Sequence, residues 1–346
     1  MRNQSVCVGT ETTELPSGVY QLKLPFPKNP MGAGSSLGYV LAYLVEIEGG
    51  FALIDTGWND KVTLDSLVKQ LGDLGIGFTD IRYVLVTHHH LDHLGLAGEI
   101  RKRSGGKLAM HSLELPGTIK DFYTSLSVAP SDWFSDWLWR QGMGEADLKA
   151  LPSAQSGMDK FLPPTPVDIV INGSETFRDG LADLEAVWTP GHSPGHVCIY
   201  DWKRKILFAG DHVLPRITPH IALQPHVGGN PLGDYIDSLT KMEKMDVCLV
   251  LPAHEQAFTD LSGRIAELLE HHHVRLNEVI STLESGHKLA YEVCADVTWG
   301  SGAWAKISPW DRQMSLFETL AHLEHLQSQG KVESFEEKGR TYYRLK

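Results

Sequence analysis

Six consecutive positions, His88-His89-His90-Leu91-Asp92-His93, carry four imidazoles and one carboxylate directly after the apolar run Ile81–Thr87. Imidazole and carboxylate are the natural ligands of Zn²⁺ and similar borderline cations. At a strand end, His88 and His90 share one side, and Asp92 and His93 follow from the start of the next helix. One such loop can offer two ligands to each of two adjacent metals. A plain surface histidine run would be terminal and would lack a carboxylate in register; this one is internal and holds Asp92. Three further groups stand at the ends of strand-like runs: His192 in TPGHSPGH, Asp211 in LFAGDHVL and His254 in LPAHE. A lone histidine after a strand is ordinarily structural, but three groups so placed downstream of a ligand loop point to one centre. His196 is close enough to support the ligands. His89 and His212 neighbour ligands but face away by strand alternation, and His111 and His220 are weaker candidates.

The elements that must position these groups are legible from their periodicity. Strand-like runs cover 19–27, 39–48 and 51–57, with Gly49-Gly50 marking a hairpin between the last two. A Pro/Gly/Ser-rich turn occupies 29–36. Val62, Leu64, Leu67, Val68 and Leu71 recur at helical spacing over 60–75, and a second helix starts at or just after Asp92. Further strands are expected at 167–171, 184–189, 196–201, 205–211 and 247–253. Residues 263–285 and 314–330 read as two long helices, the second ended by Gly330, and 331–345 as a hairpin about Lys338-Gly339. Alternating strands and helices make an α/β fold with functional groups at strand ends. A domain boundary is placed near 262, giving a first domain over 1–262 and a helical one over 263–346. Residues 111–160 interrupt the regular pattern as an insertion. Its Trp133, Phe134 and Trp137 are either amphipathic core or a lid that lines an apolar substrate site. The segment PRITPHIALQPH after Asp211 is expected to line the same cleft.

The ordered set His88-x-His90-x-Asp92-His93, His192, Asp211 and His254, preceded by Ile54-Asp55-Thr56-Gly57, resembles the metallo-β-lactamase-fold hydrolase superfamily over roughly 18–260. The resemblance implies a four-layer αβ/βα sandwich with two Zn²⁺ per chain, Mn or Fe being alternatives. By position it assigns His88, His90 and His192 to one metal and Asp92, His93 and His254 to the other. Asp211 would bridge them and Asp55 would support the ligand loop. It implies a bridging hydroxide that attacks an electrophilic carbonyl or phosphorus, with Asp92 and Asp211 as the catalytic carboxylates and Asp92 relaying a proton. His90 stands where the di-iron redox relatives carry a carboxylate, and Asp211 where many zinc β-lactamases use Cys. The first favours a hydrolase over an oxygen reductase, and the second counts against a β-lactamase. The resemblance to the glyoxalase-II-like and related branches implies a small hydrophobic thioester, ester or lactone as substrate. A single-iron dioxygenase branch shares the ligand types.

The C-terminal stretch is similar to the winged-helix-like extension of the subgroup that includes beta-lactamase-like protein 2, through Arg264-Ile265, His272, Arg275, Ala321-His322-Leu323 and Gly330. That likeness raises a second reading, a metal-dependent endoribonuclease holding RNA with its tail. Charge counts against it: residues 263–346 carry ten basic and twelve acidic side chains, and the whole chain has a net charge of −12. A packing or dimerisation role fits the tail better, and a homodimer is the expectation. His271, His272 and His273 fan around one helix rather than converge, and His322 and His325 read as packing or surface groups. Four scattered cysteines without a CxxC pair argue against a disulfide framework and a thiolate metal site and fit a reducing, cytoplasmic setting. No apolar run approaches membrane-spanning length, and no targeting signal is read at the N-terminus.

Overall fold

The computed structural model describes residues 12–16, 18–27, 38–115, 132–151, 165–177, 183–223, 225, 228–300 and 302–346. The turn expected at 29–36 and the parts of the insertion at 116–131 and 152–160 lie outside the described residues.

The chain first builds a seven-stranded sheet in sequential order. Its strands are β1 (Thr12–Glu14), β2 (Val19–Pro25), β3 (Tyr39–Ile47), β4 (Gly50–Ile54), β5 (Ile81–Leu85), β6 (Lys107–His111) and β7 (Ile169–Ile171). The first four pair antiparallel, and β4 through β7 run parallel because helices carry the chain back between them. Those helices are α1 (Lys61–Asp73), α2 (Leu91–Leu94) and α3 (Ala97–Ser104). Between β6 and β7 come α4 (Asp132–Arg140) and α5 (Glu145–Ala150). The β3–β4 turn closes one residue earlier than its glycine pair suggests: Ile47 pairs with Gly50, so Glu48 and Gly49 form the turn. Gly49, at φ +78°, supplies the left-handed conformation required there.

A second sheet contains β8 (Glu175–Thr176), β9 (Leu184–Trp188), β10 (Val197–Asp201), β11 (Ile206–Gly210) and β12 (Leu249–Pro252). Only β11 and β12 are parallel, joined by α6 (Pro231–Met242). Strand alternation then divides the core. In β3, Leu41, Tyr43 and Val45 face the second sheet and pack with Ala186, Ile199 and Phe208, while Val40, Ala42 and Leu44 pack under α1 and α3. The outer face of the second sheet, through Val187, Cys198, Leu207 and Val250, is covered by α6 and the first half of α7 (Leu261–Leu283). The molecule is therefore the four-layer αβ/βα sandwich expected from the sequence.

After α7 come β13 (Lys288–Leu289), α8 (Ala290–Asp296), α9 (Pro309–Ser328), β14 (Val332–Glu337) and β15 (Arg340–Leu345). The three strands form a sheet in the order β13–β15–β14. Lys338 and Gly339, both at positive φ, make the two-residue turn that the sequence marks. Helix α9 begins at Pro309, five residues before the apolar run that signals it, because Ser308 caps it and Pro309 is suited to a first helical turn. Helix α7 belongs to two cores: Leu261, Ile265 and Leu268 pack on the second sheet, and Val279 and Leu283 pack on α8 and α9. The insertion joins that second core. Phe134, Leu138 and Met143 are buried among Val279, Leu316, Phe317 and Leu320. Among the described residues no helix is long and apolar enough to cross a membrane.

Candidate metal centre

The chemistry sits where four chain segments leave the sheets together. After β5 the backbone passes through Thr87 to His88, and His90 occupies the N-cap position of α2, with Asp92 and His93 in its single turn. His192 lies in the loop between β9 and β10, Asp211 follows β11, and His254 follows β12. These seven side chains converge as two groups, His88, His90, His192 and Asp211 in one and Asp92, His93 and His254 in the other. Within each, the candidate ligand atoms all lie within 4.8 Å of one another.

In the first group, His90 Nδ1 lies 2.9 Å from His88 Nε2 and 3.0 Å from His192 Nε2. In the second, His254 Nε2 is 3.4 Å from Asp92 Oδ2, and His93 Nε2 is 3.6 Å from the same oxygen. Asp211 belongs to both: its Oδ2 is 3.6 Å from His192 Nε2 and His93 Nε2, and its Oδ1 is 3.3 Å from His254 Nε2.

Polar partners hold His88, His93, His192, His254 and the Asp211 backbone from outside the centre. Asp55, at φ +58°, turns its carboxylate back under the ligand loop. It accepts hydrogen bonds from the Thr87 N–H at 2.9 Å, the Thr87 hydroxyl at 2.9 Å and His93 Nδ1 at 2.8 Å. His93 is thereby oriented with Nε2 toward the centre. The Thr87 hydroxyl also lies 3.0 Å from His88 Nδ1. His192 Nδ1 donates to the His220 carbonyl at 2.9 Å, and His254 Nδ1 to the Tyr39 carbonyl at 3.3 Å. His196 Nε2 accepts the Asp211 N–H at 3.2 Å, so this histidine sets the backbone of the shared carboxylate. At Gly210, φ +51°, a Cβ would come within 2.7 Å of that same Nε2, so the strand end needs glycine.

The donor set fits a divalent cation. Among the described residues His93 Nε2 and Asp211 Oδ1 are buried, aimed inward and without a hydrogen-bond partner. Burial, with the neighbouring imidazoles, holds His88 and His90 well below the usual histidine pKa. They are therefore neutral, the form that binds metal. For His254, burial pulls the pKa down, but Asp211 and Asp92 outweigh it and push it up to about 10. His93 is raised against its burial by Asp92, Asp211 and Asp55. This second group therefore demands positive charge, which a bound cation supplies in place of protons.

The family model described as "Metallo-beta-lactamase superfamily" matches residues 36–254, a span that contains all seven of these side chains and Asp55. The chain belongs to the metallo-beta-lactamase superfamily. It is 25% identical over 318 residues to the probable metallo-hydrolase YqjP of Bacillus subtilis, covering 89% of this chain and 94% of that one. It is 27% identical over 243 residues to the lactamase-like protein adaB of Aspergillus niger, covering 70% of this chain and 58% of that relative's length. The crystal structure of a beta-lactamase domain protein from Burkholderia ambifaria superposes with a TM-score of 0.79 at 26% identity, over 97% of this chain and 94% of that one. The superfamily match ends at His254, whereas the structural likeness extends through the C-terminal helices.

Glu114 is a buried group of the centre that the sequence does not announce. Its carboxylate accepts the His89 N–H at 2.9 Å, the Ser193 hydroxyl at 2.9 Å and the Gly195 N–H at 2.6 Å, and it also pairs with His89 Nδ1. It thus ties the loop bearing His88 and His90 to the loop bearing His192. Burial alone would raise its carboxyl; the His89 imidazole and the hydrogen bonds outweigh that and hold it low. Its nearness to His111 in sequence, after a strand end, was the available signal. His111 itself stacks on Trp188 at 5.4 Å, outside the two groups. His212 packs on Tyr235, 5.0 Å between rings, facing away from the centre as strand alternation requires.

The aromatic trio of α4 separates. Phe134 is 6% exposed and packs its ring on Phe317 at 6.3 Å, so it is a core residue and not an open substrate wall. Burial of its apolar ring against the C-terminal helices decides that placement. Trp137 is half-buried, 5.8 Å from the same Phe317, and Trp133 is 47% exposed.

Proposed function

We propose that this metallo-hydrolase superfamily member is a dinuclear zinc enzyme that cleaves a small, apolar acyl substrate, with a thioester the first choice and a lactone or carboxylic ester next. The observation that carries it is Asp211, whose carboxylate faces both ligand groups, Oδ2 toward His192 and His93 and Oδ1 toward His254. Bound divalent ions would supply a nucleophile from water at neutral pH and polarise the acyl oxygen.

The chain's own residues account for the rest. His88, His90 and His192 would hold one ion and Asp92, His93 and His254 the other, with Asp211 shared. Asp55, His196 and the carbonyls of Tyr39 and His220 keep those side chains from rotating, so the geometry is set before substrate arrives. Asp92 is the ligand carboxylate that reaches toward solvent, 16% exposed at its side chain. It is placed to take up a proton and pass it to the leaving group. The preference for an apolar acyl group is supported by Trp133 and Trp137, presented by α4 beside the C-terminal core. A small-molecule substrate is also what the acidic balance of the chain favours, and a cytoplasmic homodimer is part of the same proposal.

The test is thiol release from a panel of acyl-CoA and acyl-glutathione thioesters by metal-stripped and zinc-reloaded protein. Turnover is expected only after reloading, and Asp211→Ala should abolish it while lowering the metal content below two ions per chain. Two tightly bound ions with no thiol release would discard the thioester and turn the panel to lactones, esters and single-stranded RNA. Full activity of the Asp211→Ala variant would overturn the shared-carboxylate centre itself.

A further inference from the structure

The segment from Asp211 to Leu223 crosses from the ligand set to the C-terminal helices and is pinned along its length. The Arg264 guanidinium, at the start of α7, donates to the carbonyls of Leu214 at 2.7 Å, Arg216 at 3.1 Å and Ile217 at 2.9 Å. Glu255, next to His254, accepts the N–H groups of Arg216 and Ile217 at 3.0 and 3.2 Å. The Leu223 N–H donates to the Phe317 carbonyl at 3.0 Å, and Ala222 and Leu223 pack on the core of α8 and α9. Between these anchors stands His220. Its ring Nε2 meets the Met314 carbonyl at 3.0 Å, and its own carbonyl receives His192 Nδ1 at 2.9 Å.

We infer that α9 is a working part of the metal centre: through His220 it fixes the tautomer and aim of His192, making His220 a positioning residue. A carbonyl only accepts. Met314 O therefore requires the proton on His220 Nε2, and His220 O requires the proton on His192 Nδ1. His192 Nε2 is then left with its lone pair directed at His90 and Asp211. Met314 and Phe317 are three apart on α9, so they lie on one face and grip both ends of the 220–223 stretch. A second thread has the same destination. The carbonyl of His212, beside Asp211, accepts the Tyr235 hydroxyl at 2.8 Å, the Tyr235 ring meets His272 at 5.4 Å, and His272 Nδ1 lies 3.2 Å from His322 Nε2 on α9. Two ligand-bearing segments are thus anchored in the same helix. The C-terminal extension serves the hydrolytic centre as its scaffold.

This inference rests on the proposed two-ion centre, and the experiment separates the two. Zinc affinity is measured by chelator competition on the full chain, alongside the visible absorption of the Co²⁺-loaded protein and the Tm of the metal-free protein. In His220→Leu, one of the two ions should bind about 10–100-fold more weakly, with an altered Co²⁺ spectrum and the second ion unchanged. His220→Gln, which keeps a side-chain N–H for Met314 O, should restore both affinity and spectrum. Arg264→Met, which frees the same loop farther from the ligands, should weaken the same ion and carries the test if His220→Leu does not fold. Unchanged affinities and spectrum in the folded variants would overturn the positioning role. A wild-type chain that does not bind two ions would instead sink the proposed centre.

Discussion

At the scale of single residues the centre depends on buried carboxylates of two kinds. Asp92 and Asp211 face the ligand groups, while Asp55 and Glu114 face away and hold backbone and imidazole donors. Glu114 has the heavier structural duty, because its oxygens serve donors from two separate loops. In Glu114→Ala the His89 and Gly195 N–H groups and the Ser193 hydroxyl lose their acceptor in a dry interior, at about 1–3 kcal/mol each. Glu114→Gln keeps the volume but turns an amide N–H₂ against one set of donors. The metal-free Glu114→Ala chain is expected to unfold at clearly lower urea than the parent, with Glu114→Gln between them. On the proposed two-ion centre, both should release the ion that His88, His90 and His192 would hold before the other. A Glu114→Ala chain as stable as the parent, with both ions retained, would show that the loops hold their places without it. The seven converging side chains were legible because imidazole and carboxylate are natural metal donors and these stand at strand ends in a clustered pattern. Glu114 and Thr87 were not, and His220 stood out only as a weaker candidate, since any buried hydrogen-bonding group can play their parts and its partners are set only by the folded chain.

At the scale of elements the strands were the clearest, since their near-continuous apolar runs are those of a sheet covered on both faces. The long helices were recognisable by their leucine spacing, but α5, α6 and α8 were missed. Helix α6 opens Pro-Leu-Gly and has a polar outer face, so its few apolar positions (Leu232, Tyr235, Leu239 and Met242) acquire meaning only against β10 and β11. The insertion helix α4 reads from sequence as core or lid, and its side chains divide by burial: Phe134 and Leu138 join the core while Trp133 is exposed. Phe134→Ala would leave a cavity between α4 and Phe317 and should cost about 3–5 kcal/mol, read from urea unfolding. Trp133→Ala removes a ring that is about half exposed and should cost far less, while raising KM for aromatic acyl thioesters more than it lowers kcat. If Trp133→Ala changes neither constant for any substrate on the panel, α4 is scaffold alone and the aromatic preference must come from elsewhere in the cleft.

At the scale of the whole molecule, the junction between the sandwich and the C-terminal helices is made of histidines with no charge to spare. His272 on α7 and His322 on α9 face each other across it, with Tyr235 from α6 packed on His272. Arg275 adds positive charge nearby, His271 and His325 do so once protonated, and Glu318 offers its backbone carbonyl to His322 Nδ1 at 2.8 Å. Burial, reinforced by these cations, pushes His272 down to about 2 and His322 to about 3. An unfolded histidine titrates near about 6.5, so as pH falls the unfolded chain takes up protons that the folded junction refuses. Stability from this pair is therefore full above about pH 6.5 and drains away as pH falls toward about 3. Replacing both rings in His272→Leu/His322→Leu removes the two proton sites together and leaves no half-satisfied partner. Urea midpoints of the metal-stripped parent and double variant, taken between about pH 7 and pH 5, isolate the effect, because the ligand histidines titrate in both chains. The parent should lose stability faster, so that its midpoint falls relative to the variant's with each step in pH. Parallel curves would mean that the pair opens to solvent, and the two parts of the molecule would then be joined by packing alone.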